Sequence, residues 1–327
     1  MPPSHQSQVG RPPGQATNLQ ARGHVGTSGR LPNVIDRDAV VGWYEANARD
    51  LPWRSSDRTP WGVLVSEVML QQTPVARVMP VWRTWLDRWP VPAALAAEPP
   101  AEAIRAWGRL GYPRRALRLH GASVAILERH GGSVPAQHED LLALPGVGEY
   151  TAAAVASFAF GQRHVVLDTN VRRVLARAVS GRPVAAASPT AAERVLARSV
   201  LPQDGAPRWS VAVMELGALV CTAQSPRCGA CPIVARCAWR LAGAPDYDGP
   251  RRRSQRWTGT DRQARGRLMA ALRGASGPID KAELDLAWPD DPVQRERALD
   301  SLVADGLVEA VTGTSYRLPE SADYEKT

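Results

Sequence analysis

All four cysteines of this 327-residue chain lie in one short stretch, at Cys221, Cys228, Cys231 and Cys237. A disulfide framework would distribute its cysteines around a small secreted fold, so this clustering favours a metal or cluster site. Four thiolates suit a cubane iron–sulfur cluster or tetrahedral zinc. Structural zinc usually takes paired short spacings separated by a longer arm, and the arrangement Cys-x6-Cys-x2-Cys-x5-Cys does not pair in that way. The pattern therefore predicts a ligated loop rather than four unligated structural cysteines.

The chain carries an excess of positive charge, with a formal net charge of +8 and a pI near 9.8. Such a charge favours a polyanionic partner, most simply nucleic acid, although a compositional bias toward arginine would also raise the pI. No segment matches a membrane-spanning helix in length and apolarity, and no secretory leader opens the chain. We therefore expect a cytoplasmic, nucleoid-associated protein with no membrane partner.

Composition and periodicity divide the chain into five segments. Residues 1–33 are rich in Pro, Gly, Ser and Gln without an apolar period, which predicts a disordered tail. Residues 34–240 show successive helical patterns with Gly/Pro punctuation, so the fold class is mainly α. A basic linker follows at 241–261. Residues 262–318 show three helical patterns and then a hairpin, which predicts a small winged-helix-like α+β module before a tail at 319–327.

The predicted elements of the main region are all helices. They are Asp38–Asn47, Val63–Gln71, Ala101–Arg109, Arg114–His130, His138–Leu144, Tyr150–Phe160, Thr169–Val179, Pro189–Leu201 and Trp209–Val220. The apolar run Val165–Leu167 is too isolated to define a sheet. In the C-terminal module, Leu307–Val311 and Ser315–Leu318 are the predicted hairpin strands, joined over Thr312-Gly313-Thr314.

A glycine pair separates two of these helices, in the segment Leu144-Pro-Gly-Val-Gly-Glu-Tyr-Thr151. Pro145 ends the first helix, while Gly146 and Gly148 permit backbone angles and close approaches that a side chain would block. The free amides at the start of the next helix then form an anion site suited to a DNA phosphate. A plain turn between two helices is the alternative, and the basic charge and the cysteine loop favour phosphate binding.

Two carboxylates have surroundings that predict a chemical role. Glu67 lies in the apolar run Val63–Gln71, where burial should raise its pKa and keep it protonated near neutrality. Asp168 stands at the start of a helix, where the first amides should keep it ionised. A plain N-cap role is the simpler interpretation, and it is compatible with a chemical one. An acid beside an anion is the pair that cleavage of a glycosidic bond requires. Gln71, Gln72 and Thr73 would lie at the helix end that meets DNA, where amides pair with base edges.

These motifs together resemble one enzyme family. Ser-Glu-Val-Met-Leu-Gln-Gln-Thr73, Leu-Pro-Gly-Val-Gly-Glu-Tyr-Thr-Ala152, Leu-Asp-Thr-Asn-Val-Arg-Arg-Val174 and the four-cysteine loop occur in the order found in the MutY-type adenine DNA glycosylases. Leu51-Pro-Trp-Arg54 and Gly108-Arg-Leu-Gly-Tyr-Pro113 are also similar to family motifs. The resemblance covers residues 34–240 and implies a two-lobed helix-hairpin-helix DNA glycosylase fold with a [4Fe-4S] cluster on the four cysteines. Such enzymes excise undamaged adenine opposite 8-oxoguanine or guanine in double-stranded DNA, and we expect a monomer.

The resemblance also implies a role for individual residues. Glu67 would protonate the extruded adenine at N7, and Asp168 would stabilise the oxocarbenium ion, with Tyr150 and Asn170 assisting. The residues implied to bind substrate or DNA are Trp53, Arg54 and Leu70 around adenine, Gln72 and Tyr112 near the opposite guanine, and the hairpin glycines Gly146 and Gly148.

The sequence also predicts a monofunctional glycosylase. Tyr150 occupies the position where bifunctional relatives carry a Schiff-base lysine, and the only lysines of the chain are Lys281 and Lys326. Without a positioned amine, efficient β-elimination of the abasic product is not expected.

Three features depart from the family pattern. Thr169 stands where many members have glycine, Pro113 replaces a second aromatic residue, and too few residues follow the linker for a MutT-like domain. How the opposite base is selected is therefore left open. The alternatives are a thymine or uracil glycosylase acting on G mismatches and a non-catalytic iron–sulfur DNA-binding protein.

Overall fold

The computed structural model describes residues 35–249, 257–312 and 314–321. The predicted N-terminal tail lies wholly outside these ranges, as do parts of the basic linker, of the hairpin turn and of the C-terminal tail. Within the described residues, no helix has the length and apolarity needed to cross a membrane.

Fifteen α-helices, three short 3-10 helices and one small sheet account for the regular structure of the described residues. The helices are α1 (Arg37–Asn47), α2 (Pro60–Leu70), α3 (Val75–Arg88), α4 (Pro92–Ala96), α5 (Pro100–Trp107), α6 (Arg114–His130), α7 (His138–Leu142), α8 (Glu149–Phe160), α9 (Thr169–Ala178), α10 (Ala191–Val200), α11 (Ala206–Leu219), α12 (Ala238–Leu241), α13 (Asp261–Gly274), α14 (Lys281–Asp285) and α15 (Pro292–Ala304). The strands are β1 (Ile279–Asp280), β2 (Glu309–Thr312) and β3 (Ser315–Arg317), antiparallel in the order β1-β3-β2. Every predicted helix of the main region is present, and the mainly α fold class is confirmed.

The sequence patterns missed α3, which carries Pro80 in its interior. An internal proline normally ends or kinks a helix. The helix nevertheless buries Val78 and Trp85, and the Trp85 ring packs edge-on against Trp89 and Trp107 at centroid distances of 4.7 and 5.8 Å. Tertiary packing of these large rings outweighs the local preference.

Two large hydrophobic cores define two lobes. The first is built by α2 to α8 and includes Leu64, Trp85, Ile104 and Ile126. The second is built by α1, α9, α10, α11 and the cysteine loop, and Trp209 lies inside it. Helix α2 belongs entirely to the first lobe, with every residue from Trp61 to Met69 buried. A helix that is apolar on all sides is stable only in such surroundings.

The C-terminal residues are docked onto the first lobe. Leu268, Met269 and Leu272 of α13 belong to the same core as α5 and α6. The Arg105 guanidinium of α5 donates to three carbonyls at the end of α13, the shortest of these bonds being 2.8 Å to Ala275. The order helix, strand, two helices, hairpin is that of a winged helix, as the sequence predicted.

A glycine sets the spacing between α9 and α11. A Cβ placed on Gly217 would lie 2.7 Å from Asn170 Cβ and 2.8 Å from the Asn170 carbonyl oxygen. Backbone atoms cannot move aside as a flexible side chain would, so only glycine permits this approach. The contact places Asn170, and with it the start of α9, against the last turn of α11.

Substituting Gly217→Ala is expected to lower the free energy of unfolding by about 1–3 kcal/mol, because the added methyl group overpacks a rigid contact. Denaturant unfolding of the holoprotein measures this loss. The matched control is Gly266→Ala, at a helical position where an added Cβ meets nothing within 4 Å and helix propensity favours alanine. Equal behaviour of the two variants would contradict the account of the α9–α11 contact.

Candidate active site

A cavity of about 1180 Å³ opens between the two lobes. Its walls come from α2 and the start of α8 on one side and from the start of α9 and α11 on the other. The predicted acid Glu67, the predicted anion Asp168 and the two predicted assisting residues, Tyr150 and Asn170, all line it. The predicted substrate-binding or DNA-binding residues that also line it are Trp53, Arg54, Leu70, Gln71, Gln72, Thr73 and Gly148.

Glu67 reaches the cavity from the interior of α2 and is only 5% exposed. The Tyr150 hydroxyl donates a hydrogen bond of 3.0 Å to Glu67 Oε2. Burial raises the pKa of Glu67 to about 7, against the opposing effects of the Tyr150 hydrogen bond and the Arg54 charge. A carboxyl group with this pKa is a proton donor at neutral pH.

Asp168 reaches the same cavity from the N-cap of α9. Its Oδ1 accepts a bond of 2.6 Å from the Val171 amide, and its Oδ2 accepts one of 2.7 Å from Asn170 Nδ2. The prediction that the two carboxyls shift in opposite directions is wrong, because burial raises the pKa of Asp168 as well, against these hydrogen bonds and the Arg173 charge. The two groups therefore differ in their hydrogen bonds: Asp168 accepts several at the positive end of a helix, which favours its anion, whereas a single tyrosine contacts Glu67.

A third carboxylate, which sequence reasoning missed, anchors the arginine of the site. Glu215 on α11 is completely buried and accepts charge-assisted bonds of 2.6 Å from Arg49 Nε and 2.8 Å from Arg54. Burial alone would raise its pKa, but the arginine hydrogen bonds and charges prevail and lower it to about 2. The ion pair between Arg54 and Glu215 holds the Arg54 side chain close to Glu67. A charged residue in the apolar pattern of α11 was the available sequence signal.

Arg115 of α6 stabilises the loop after α2. Sequence reasoning did not predict this role for Arg115. This buried guanidinium donates to the carbonyls of Val68 and Met69 at 2.9 Å and to the Thr73 hydroxyl at 2.9 Å. Thr73 is only 6% exposed, and its hydroxyl group accepts the Arg115 hydrogen bond, so its side chain helps to fix this loop. Gln72 is exposed and has a φ of +56°, a left-handed conformation that is unfavourable for a residue with a side chain.

Tyr112 and Gly146 are the predicted DNA contacts outside the residues that line the cavity. Tyr112 is 46% exposed at the start of α6 with a φ of +50°. Gly146 has a φ of +75°, and a Cβ there would lie 2.5 Å from Arg118 Cβ, as the turn prediction requires. Gly148 has an ordinary φ of −96° and open space around it, so its lack of a side chain exposes the first amides of α8 instead.

The four cysteines are unpaired thiols in the loop after α11. Burial, together with the charges of the other three sulfurs, raises the pKa of Cys231 to about 11. No group of three or more His, Cys, Asp or Glu in the described ranges is arranged to hold one metal ion, whereas a cluster accepts ligands that are farther apart. Arg177 Nη1 lies 3.4 Å from Cys221 Sγ and supplies positive charge beside an anionic centre. This donor set fits a [4Fe-4S] cluster.

Helix α9 links this loop to the active site. The Arg173 guanidinium donates to Asn170 Oδ1 and to the carbonyls of Gly217 and Cys221, each at 2.7 Å. Asn170 in turn donates to Asp168. The position of the Asp168 carboxylate therefore depends on contacts with the first residue of the cysteine loop.

Known proteins match the chain over both lobes. The family model described as HhH-GPD superfamily base excision DNA repair protein matches residues 65–199, and that of the iron-sulfur binding domain of endonuclease III matches residues 221–237. An adenine DNA glycosylase of Mycobacterium tuberculosis is 53% identical over 289 residues, which are 88% of this chain and 95% of the relative.

Solved structures show the same fold. A thermostable thymine-DNA glycosylase superposes with a TM-score of 0.57 at 24% identity, over 63% of this chain and 95% of that one. A trapped endonuclease III–DNA covalent intermediate gives a TM-score of 0.55 at 23% identity, over 64% and 95%. The predicted helix-hairpin-helix glycosylase fold and the [4Fe-4S] cofactor on the cysteine loop are confirmed. With these matches and with two carboxyls facing one cavity, the chain belongs to the adenine DNA glycosylases, the enzymes that excise adenine in base excision repair.

Proposed function

We propose that this enzyme removes adenine mispaired with 8-oxoguanine or guanine in duplex DNA, as a monofunctional and monomeric glycosylase. The observation that carries the proposal is the common cavity of Glu67 and Asp168, in which burial favours a proton on Glu67 while hydrogen bonds from the start of α9 oppose the effect of burial on Asp168. Hydrolysis of an N-glycosidic bond needs a proton for the leaving base and an anion facing the sugar.

In the mechanism that we propose, Glu67 donates its proton to N7 of the extruded adenine. Protonation makes the base a better leaving group and weakens its bond to the sugar. Tyr150 orients the donor through its 3.0 Å hydrogen bond. Asp168, held by Asn170 and the start of α9, stabilises the positive charge that develops on the sugar. Trp53, Arg54 and Leu70 shape the side of the cavity that receives adenine.

The proposed DNA surface surrounds the mouth of the cavity. The open amides of α8, exposed by Gly148, suit a phosphate of the strand that carries adenine. Gln72 and Tyr112 stand on two neighbouring exposed loops, and an aromatic side chain there can fill the space vacated by an extruded base. The [4Fe-4S] cluster, held by Cys221, Cys228, Cys231 and Cys237, would fix the fold of its loop and supply redox chemistry remote from the base.

The test of function is base release from duplexes carrying A opposite 8-oxoguanine, A opposite G, and T opposite G, followed by alkaline cleavage. We expect release from the two adenine duplexes and none from T:G. The Glu67→Gln variant, which preserves shape but has no acidic proton, is expected to lose at least about 100-fold in single-turnover rate. Release of thymine, or an active Glu67→Gln enzyme, would contradict the proposal.

The rate of adenine excision should depend on pH through Glu67. Its protonated form dominates below a pKa of about 7, so the single-turnover rate constant should fall about tenfold per pH unit above that value. Tyr150→Phe removes the hydrogen bond that lowers the pKa of Glu67, so its descending limb should move to higher pH. A pH-independent rate between pH 6 and 9 would rule out this assignment.

Incubation with an abasic-site duplex and borohydride tests the monofunctional chemistry. Tyr150, which faces Glu67 in the cavity, cannot form a Schiff base. Lys281 is the only lysine within the described residues, and it pairs with Asp285 and Glu296 in the C-terminal module. We expect no trapped covalent complex and no rapid strand cleavage, with a lysine-dependent bifunctional glycosylase as the positive control. Efficient trapping would show that an amine reaches the sugar.

A further inference from the structure

A stack of alternating rings and guanidinium groups runs from the first lobe into the C-terminal module. The Arg262 guanidinium lies 5.1 Å from the Trp257 ring centroid on one side and 5.3 Å from the Tyr112 ring centroid on the other. Arg115 lies 5.7 Å from the same Tyr112 ring and 5.1 Å from the buried ring of Trp107. All four distances are within the range of cation–π attraction. The Tyr112 ring is therefore held by one arginine from each part of the protein.

The docking of the C-terminal module fixes Arg262 at this position. Arg262 stands in the first turn of α13, and the far end of α13 is bonded to Arg105 of the first lobe. Asp305 adds a second attachment, since it pairs with Arg114 at 3.2 Å and with Arg265 of α13 at 2.5 Å. A helix attached through its end and its side cannot rotate freely. The contact of Arg262 with Tyr112 therefore follows from the contacts that dock the C-terminal module onto the first lobe.

The outer part of the stack is exposed. Tyr112 is 46% exposed, Trp257 is 52% exposed, and Arg262 is also at the surface. None of the salt bridges among the described residues involves Arg262. An exposed cation–π contact contributes little to folding, so stability alone gives no reason for this arrangement. The arrangement instead fixes the direction of an exposed aromatic ring.

Arg115 connects the Tyr112 loop to the loop that carries Gln72. It donates to the carbonyl of Gly111 at 3.0 Å and to the carbonyl of Gln71 at 2.5 Å. Tyr112 and Gln72 are both in the left-handed region, with φ values of +50° and +56°. Such conformations persist where the surroundings impose them, and they concentrate at functional sites.

We propose that Arg262, pinned by Trp257, is a positioning residue that holds Tyr112 as the wedge entering the duplex at the mispair. The C-terminal module then contributes to selection of the mispair through the ring that it orients rather than through a base-reading pocket of its own. This inference rests on the proposed function, because it deepens the role of the same DNA surface. The ligand is duplex DNA with an unstacked step, for which an ordered aromatic ring lowers the cost of opening.

The experiment measures binding of the full-length holoprotein to a duplex with a tetrahydrofuran abasic analogue opposite 8-oxoguanine and to the matched duplex. A 2-aminopurine beside the lesion reports local unstacking by its fluorescence. Arg262→Lys keeps the charge but lacks the planar face, so we expect a loss of about 3- to 10-fold in affinity for the lesion duplex, with matched-duplex affinity unchanged. The 2-aminopurine signal should fall in parallel.

Two further variants separate positioning from general charge or folding effects. Arg267→Ala removes an exposed arginine from the same helix and should leave the preference for the lesion duplex intact. Because Arg262 acts through Tyr112, the double variant Tyr112→Ala/Arg262→Lys should bind no more weakly than Tyr112→Ala alone. The visible absorbance of the cluster verifies folding in every case.

The proposal is overturned if Arg262→Lys retains the full preference and the full 2-aminopurine signal, or if the losses in the double variant multiply. These outcomes are independent of catalysis. A wild-type protein that releases no adenine opposite 8-oxoguanine or guanine would refute the proposed function, while its binding to the uncleavable duplex would still test the stack.

Discussion

The proton on Glu67 is the constraint on which the site depends. Its carboxyl lies inside a helix that is buried on all sides, with the Tyr150 hydroxyl as its bonded neighbour. A rise in pKa from 4.5 to about 7 corresponds to about 3 kcal/mol of stability. The folded state binds the extra proton between these two values, so this stability is present below pH 4.5 and is lost as the pH rises toward 7. A carboxyl group at this position therefore lowers the stability of the protein at neutral pH. A functional role for its proton explains why such a residue is found here.

The position of the second carboxylate, Asp168, depends on the contacts that hold α9. Asp168 caps α9, and the same helix carries Arg173 and Arg177, whose guanidinium groups hold the carbonyls of the cysteine loop. Gly217 lets α11 approach α9 closely enough for Arg173 to reach Asn170 and Cys221 together. The cluster loop is therefore part of the support for the Asp168 carboxylate, the proposed catalytic anion, although it lies outside the cavity. The division into two cores places Glu67 and Asp168 on facing walls, so the cavity exists only because the lobes meet.

Much of this arrangement followed from short-range sequence signals. The apolar period located α2, the cap residue located the start of α9, and the cysteine spacing identified the cluster loop. Long-range contacts could not be predicted in the same way. Glu215 reads as an ordinary helical glutamate until α1 and its following loop bring Arg49 and Arg54 onto it. Arg115 reads as a surface arginine, yet it caps α2 from another helix. The shift of the Asp168 pKa was also mispredicted, because the degree of burial depends on the opposite lobe, whereas the cap is local.

The ionisation of Glu67 can be observed directly by infrared difference spectroscopy of the holoprotein against its Glu67→Gln variant across a pH titration. The central claim predicts a carboxylic acid C=O band that is present at pH 6, absent from the variant, and lost with a midpoint near pH 7. A Glu67 side chain that is already ionised at pH 5.5, with no such band, would contradict the account of this site.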